Sequence, residues 1–302
     1  MRCCLVVLFY LLLAAPKPVE SWAASCAVRV TPTGVIEGSL MVDRRERTYL
    51  AYVPTSYDGA QPLSVLLVFH GFASSPANIM RMSDFNALAE EQQFIVVYPG
   101  GSEQPTVWYN GTSVLRPFDD DRDLRFIDAL LDRLISEECV DTQRIYAVGF
   151  SMGGGMAHRL ACERSERIAA VGTVAGAFAT IPSGCVPDRP VPIIALHGLR
   201  DRVVPFEGAG LLLPSVSRWI SDWAQRNRCA DVADYLPPFE RGVHFKACAE
   251  GAEVVLITSE QLGHTWPGTP HPNRANRLSG TDDGSINATR LLWAFLSRYT
   301  LP

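Results

Sequence analysis

Nothing in this 302-residue chain is extreme in charge: 27 Lys and Arg face 32 Asp and Glu, a formal balance of −5. That leaves no field strong enough to hold nucleic acid or an anionic membrane surface. Internal repeats with a period of about 20–50 residues are lacking, and so are low-complexity stretches, which excludes solenoids and disordered arrays. The histidines and cysteines do not fall at zinc-ligand spacing, and there is neither a phosphate loop nor a dinucleotide fingerprint. No metal and no cofactor are therefore expected. Long apolar runs are scarce as well: Cys3 to Ala15 is shorter than the roughly 20 residues that a membrane span needs, so stable membrane insertion is not expected.

What is there begins with that N-terminal run. Arg2, the apolar stretch and small residues at Ala23 and Ser25 have the layout of a cleaved export signal over residues 1–25, with Cys26 as the first mature residue. The expectation is a secreted, extracellular protein whose mature part is one domain, 26–302. Hydrophobic content of 47% with 20% charged residues supports a sizeable core. Behind a signal, the six remaining cysteines suggest three disulfides. Cys139 precedes one strand and Cys162 ends the helix that returns beside it, so these two are expected to pair. Cys229 and Cys248 flank a short excursion, which leaves Cys26 with Cys185. Asn110-Gly111-Thr112 and Asn287-Ala288-Thr289 are glycan acceptors in a eukaryotic host.

Hydrophobic patterning alternates between the two regular periods. Residues 34–53 read as an opening hairpin. Buried strands are expected at Leu63 to Phe69, Phe94 to Tyr98, Ile145 to Val148, Ile168 to Thr173, Val191 to His197 and Ala252 to Thr258. Helices are expected at Ser83 to Gln92, Asp120 to Glu138, Met156 to Ala161, Leu213 to Gln225 and Ser285 to Tyr299. In the longest, Leu124, Ile127, Leu130, Leu131 and Leu134 repeat at helical spacing, and its acidic start matches the helix dipole. The alternation implies an α/β fold: a mostly parallel sheet with helices on both faces.

The sharpest feature is Gly149-Phe150-Ser151-Met152-Gly153-Gly154-Gly155, between a strand and a helix. Strand, G-x-S-x-G and helix together describe a nucleophile elbow, the tight turn that lifts one serine hydroxyl above a sheet. Serine is a poor nucleophile at neutral pH and needs a base, which a third group must orient. Asp201 follows the strand ending at His197, and His264 follows the strand ending at Thr258, so all three side chains fall at one sheet edge. Ser151 is the expected nucleophile, His264 the base and Asp201 its orienting acid. His158 reads as a packing or surface residue and His197, near Asp201, as a structural one, and Asp222 and Asp231 are less well placed. An oxyanion needs two N–H donors; the backbone of Met152 and of Phe72, after His70-Gly71, are the candidates. Trp108 and Trp266 lie near these loops and are candidate substrate-binding residues.

These residues also carry a resemblance. His70-Gly71, Tyr98-Pro99-Gly100, Trp108 and Asp123-Leu124-Arg125-Phe126 are followed by Cys139-Val140-Asp141, Arg144-Ile145-Tyr146 and the elbow. Leu160-Ala161-Cys162, His197-Gly198, Asp201, Val204-Pro205 and Gly263-His264-Thr265-Trp266-Pro267-Gly268 complete the set. The chain resembles the secreted polyhydroxybutyrate-depolymerase-like esterases, which include type C and D feruloyl esterases. The resemblance implies an α/β-hydrolase fold, a cofactor-free serine esterase and Ser151, Asp201 and His264 as its triad. Its implied substrates are feruloyl-type or short-chain esters, polysaccharide-linked or small and aryl. Polyhydroxyalkanoate depolymerisation is the alternative, and a catalytically silent binding protein of the same fold a further one.

Overall fold

A computed structural model describes residues 32–110, 121–178, 181, 184–210, 213–234, 241–270, 282, 284 and 286–302. The expected signal segment, Cys26 and the Thr112 end of the first glycan acceptor lie outside the described residues. Among the described residues, ten strands form one sheet in the order β1-β2-β4-β3-β5-β6-β7-β10-β9-β8. Its centre is β4 (Ile95–Pro99), β3 (Leu63–Phe69), β5 (Val140–Phe150), β6 (Ala170–Val174), β7 (Ile193–Gly198) and β10 (Val254–Ser259), every neighbouring pair of which is parallel. Wholly buried strands such as β3 and β10 suit this position, because both faces are covered.

Antiparallel strands extend both edges. The hairpin of β1 (Gly34–Val42) and β2 (Arg45–Val53) joins β4, which answers the expected opening hairpin. At the far edge, β9 (Arg241–Lys246) and β8 (Asp231–Asp234) pair outside β10. Neither was legible as a strand. Both are short and rich in charge, and sheet pairing rather than an apolar run defines them.

Two apolar layers sandwich the sheet. One holds α3 (Arg122–Glu137), α4 (Met152–Glu163) and α5 (Val216–Arg226); the other holds α1 (Pro76–Ser83), α2 (Phe85–Gln92) and α6 (Ala288–Leu296). The expected leucine stripe of α3 is buried along its whole length, about 2 kcal/mol of apolar transfer for each side chain. Its acidic start does more than meet a dipole. Asp123 is fully buried and binds Arg47 Nη2 at 2.7 Å, the Ser102 hydroxyl at 2.8 Å and the Tyr109 amide at 2.7 Å. One carboxylate thereby ties β2, the loop after β4 and α3 together.

The segment before Gln92 is two helices. Ser75 caps α1 with Pro76 in its first turn, and Asp84 adopts left-handed φ 54° to separate α1 from α2. The cysteine pairing also differs from expectation. Cys229 bonds Cys248, as the short excursion implies. Cys162, however, bonds Cys185, not Cys139, so Cys185 is not Cys26's partner; Cys139 is disulfide-bonded elsewhere. The physical cause is the strap before β7. Asp188 N–H binds the Ser165 hydroxyl at 2.9 Å and Arg189 Nε the Ser165 carbonyl at 2.8 Å, laying the strap across the end of α4.

Candidate active site

β5 ends at Phe150, and α4 starts at Met152, so Ser151 occupies a one-residue corner. Its φ of 56° and ψ of −122° lie where residues with a Cβ are strained. The corner closes because Gly149 and Gly153 lack side chains. A Cβ on Gly149 would overlap the Gly153 carbonyl, and one on Gly153 would overlap the Phe69 carbonyl. Ser151 N–H binds Val174 O at 3.0 Å, and Ala177 N–H binds Ser151 O at 2.9 Å, so the loop after β6 braces the turn.

Asp201 stands in the loop after β7 with its side chain buried. Its Oδ1 accepts the N–H groups of Val203 at 2.9 Å and Val204 at 2.8 Å, and its Oδ2 lies 2.8 Å from His264 Nδ1. The loops after β7 and β10 are also laced by backbone: Leu199 N–H binds Ser259 O at 2.9 Å and Arg200 N–H binds Leu262 O at 3.0 Å. With the Nδ1 proton directed at Asp201, the lone pair of His264 lies on Nε2. The His264 ring packs 4.9 Å from that of Phe150, the residue before Ser151. Ser151 and His264 are each 9% exposed. Among the described residues, no hydrogen bond joins them.

The expected oxyanion donors are close by. Gly71 sits against Ser151, whose Cβ would be 3.2 Å from a Cβ placed there. Among the described residues, the backbone N–H groups of Phe72 and Met152 have no protein acceptor. His70 holds this loop as an uncharged ring. Nδ1 binds Gly71 O at 2.7 Å, Nε2 accepts the Gly101 N–H at 3.0 Å, and burial pushes its pKa down.

The two tryptophans require a correction. Trp108 is 1% and Trp266 0% exposed, leaving no ring face for a ligand. Trp108 Nε1 donates to His70 O at 2.9 Å, and Trp266 Nε1 to Thr289 Oγ1 at 2.9 Å, so each supports a loop from beneath. The large apolar side chains exposed on the site loops are Phe72 and Val203 instead.

Two supporting residues make contacts that the sequence did not specify: His197, read there as structural, and Asn110, read there only as a glycan acceptor. His197 Nε2 donates to Val204 O at 2.9 Å and lies 3.6 Å from Asp201, so it steadies the acid loop; burial holds it uncharged. Asn110 is wholly buried, and its amide donates to Met152 O at 3.2 Å beside Gly155. That burial argues against it as a glycan acceptor. Position four residues before the acid, for His197, and the sequon itself, for Asn110, were the available signals, and neither specifies a contact. Among the described residues, one His/Cys group has metal-ligand proximity, His158 with Cys162 and Cys185, and two of its three members are joined in a disulfide.

A parallel sheet, a strained serine after β5 and an Asp–His pair from two later strand ends define a class. Residues 64–212 match the family described as alpha/beta hydrolase fold. A solved thermostable esterase superposes with a TM-score of 0.59 at 18% identity, covering 88% of this chain and 63% of that one. The chain has the α/β-hydrolase fold. Among curated relatives, a Nocardia uniformis subsp. tsuyamanensis protein named as an esterase, NocK, is 29% identical over 89% of this chain and 88% of its own length. Feruloyl esterase D of Neurospora crassa is 27% identical over 85% of this chain and 84% of its own. These esterase relatives, together with the fold, support a carboxylic ester hydrolase.

Proposed function

We propose that the protein is an exported serine esterase that removes feruloyl-type or short-chain acyl groups from plant cell-wall glycans or small esters. The observation that carries this reading is the 2.8 Å Asp201–His264 hydrogen bond, which leaves His264 Nε2 available beside the strained Ser151 turn. Likeness to a feruloyl esterase along most of both chains supports the substrate class. The N-terminal signal pattern and the two disulfides fit export, and among the described residues no helix is long and apolar enough to cross a membrane.

The steps follow from the geometry. Ser151 Oγ attacks the ester carbonyl carbon while His264 Nε2 takes its proton. Negative charge collects on the carbonyl oxygen, to which the free N–H groups of Met152 and Phe72 donate. The C–O bond to the alcohol then breaks, and His264 returns the proton to the leaving oxygen. Water attacks the acyl-serine with the same proton traffic, releasing the acid and restoring Ser151. Asp201 keeps the Nδ1 proton in place and offsets the imidazolium charge. The exposed Phe72 and Val203 side chains offer apolar surface to the acyl group.

The decisive experiment is an ester panel of methyl ferulate, p-nitrophenyl acetate, acetylated xylan and a polyhydroxybutyrate suspension, run with the native chain and Ser151→Ala. The native chain is expected to turn over the soluble aryl ester, and Ser151→Ala to lose at least three orders of magnitude. Turnover of the polyester alone, or a fully active Ser151→Ala, would reject the proposal.

A further inference from the structure

Away from the elbow, a cavity of about 230 Å³ lies where the β1–β2 turn meets the start of α3. It is lined by Val42, Asp43, Arg45, Arg47, Arg122 and Arg125. Four guanidinium groups converge here in a chain whose overall charge is −5. Among the described residues, three carboxylates answer them. Asp123 holds the buried Arg47 at 2.7 Å, Asp43 binds Arg125 Nε at 2.8 Å, and a single Glu103 oxygen is shared by Arg122 at 2.7 Å and Arg45 at 3.3 Å. Among the described residues the cations of this patch outnumber the carboxylates, and Arg44 at the turn adds another. Glu46, between Arg45 and Arg47 in sequence, points to the opposite face of β2.

Donor capacity is left over too. Among the described residues, Arg45 uses only Nη1 and Arg125 only Nε, and their side chains are 59% and 51% exposed. A guanidinium presents a planar fork that matches a carboxylate through two parallel hydrogen bonds. The cavity therefore has a shape, a sign and unused planar donors.

Its place in the sheet relates it to the ester site. β2 runs antiparallel to β4, pairing Tyr49 with Pro99, and Arg47 and Arg45 continue past that point. Arg47 reaches the Gly100 carbonyl at 3.0 Å, so the cavity opens at the carboxyl end of β4. The same edge carries Ser151 after β5. In the order β2-β4-β3-β5, three strand spacings separate them, roughly 15 Å. A glycan whose ester lies at Ser151 crosses that distance within a few sugar residues.

We infer that this cavity is a subsite for an anionic sugar, a uronate carboxylate carried by the same glycan whose ester reaches Ser151. The inference rests on the esterase reading with a glycan-borne ester. It makes the enzyme selective for acidic over neutral polysaccharide, with recognition separated from the chemistry.

Binding tests it apart from catalysis. In the full-length Ser151→Ala chain, calorimetric titration compares xylo-oligosaccharides of equal length that are neutral, glucuronate-substituted or sulfated. The glucuronate form is expected to bind at least tenfold more tightly than the neutral one. Arg45→Gln with Arg125→Gln abolishes that preference, and added salt weakens it. Both arginines sit in exposed ion pairs of little energetic weight, so the variant folds, which circular dichroism checks. Equal affinity for neutral and glucuronate forms, or a preference unchanged in the double variant, would overturn the inference. Binding of the sulfated form alone would overturn the carboxylate assignment. Hydrolysis of methyl ferulate by the native chain tests the esterase reading separately, since that ester has no glycan to span the gap.

Discussion

His264 Nδ1 lies 2.8 Å from Asp201 Oδ2, while the other oxygen of that carboxylate is fully engaged by two backbone N–H groups. The loop thus holds the acid rigidly and the acid holds the ring. Asp201→Asn keeps the shape but presents the ring with an amide, which permits the wrong tautomer. We expect kcat for p-nitrophenyl acetate to fall by about 10³–10⁴-fold with little change in melting temperature. A loss under tenfold would mean that the imidazole is oriented by something else.

Asp123 lies outside the chemistry, and its removal is a stability experiment. Asp123→Ala leaves the Arg47 guanidinium, 7% exposed, without its carboxylate, and strands the Tyr109 amide and the Ser102 hydroxyl. Breaking one partner of a buried pair costs about 3–5 kcal/mol. Urea denaturation should show that loss. A change under 1 kcal/mol would show that water repairs the site.

Acid sensitivity has an identifiable source in His158. Burial holds its pKa at about 3 against an ordinary 6.5, and its Nδ1 accepts a hydrogen bond from Trp223 Nε1 at 3.2 Å. Between those two values the unfolded chain takes up a proton that the folded chain refuses. Stability is therefore complete above pH 6.5 and declines as pH falls, by about 2 kcal/mol from this residue at pH 5. His70 and His197, also lowered by burial, act in the same direction. His158→Gln retains an acceptor for Trp223 and removes the titration. Its stability should vary less between pH 7 and 5 than that of the native chain; identical slopes would exclude His158 as the cause.

The two glycan acceptors should behave differently. Asn110 is buried with its amide on Met152 O, whereas Asn287 is exposed at the start of α6. After expression through a eukaryotic secretory route, peptide mass spectrometry is expected to find sugar on Asn287 and none on Asn110. An occupied Asn110 would contradict the packing of Gly155 against it.

The elbow is legible in the sequence because its requirements are local. A strand, a one-residue corner and a helix can approach closely only when positions 149 and 153 carry no Cβ, and both are glycine. The α1–α2 break was less visible. Asp84 takes a left-handed conformation between them, and only the second helix, expected from Ser83, is read from the sequence. The tryptophans were misjudged for a different reason. Nearness in sequence to His264 or to the loop after β4 says nothing about which side of the loop a ring occupies, and Trp108 and Trp266 both face inward.

Sequence by itself determined the alternation of strand and helix, the serine corner and the strand ends that deliver Asp201 and His264. Each depends on residues within a few positions of one another, where hydrophobic period and steric clash decide the outcome. Only the tertiary structure decided that Cys162 meets Cys185, that Asp123 is fastened to Arg47, that Asn110 is sealed under the elbow, and that four arginines share one cavity. Those contacts join segments 23 or more residues apart. Which of them form depends on how loops pack over a sheet edge, and local pattern carries no record of that.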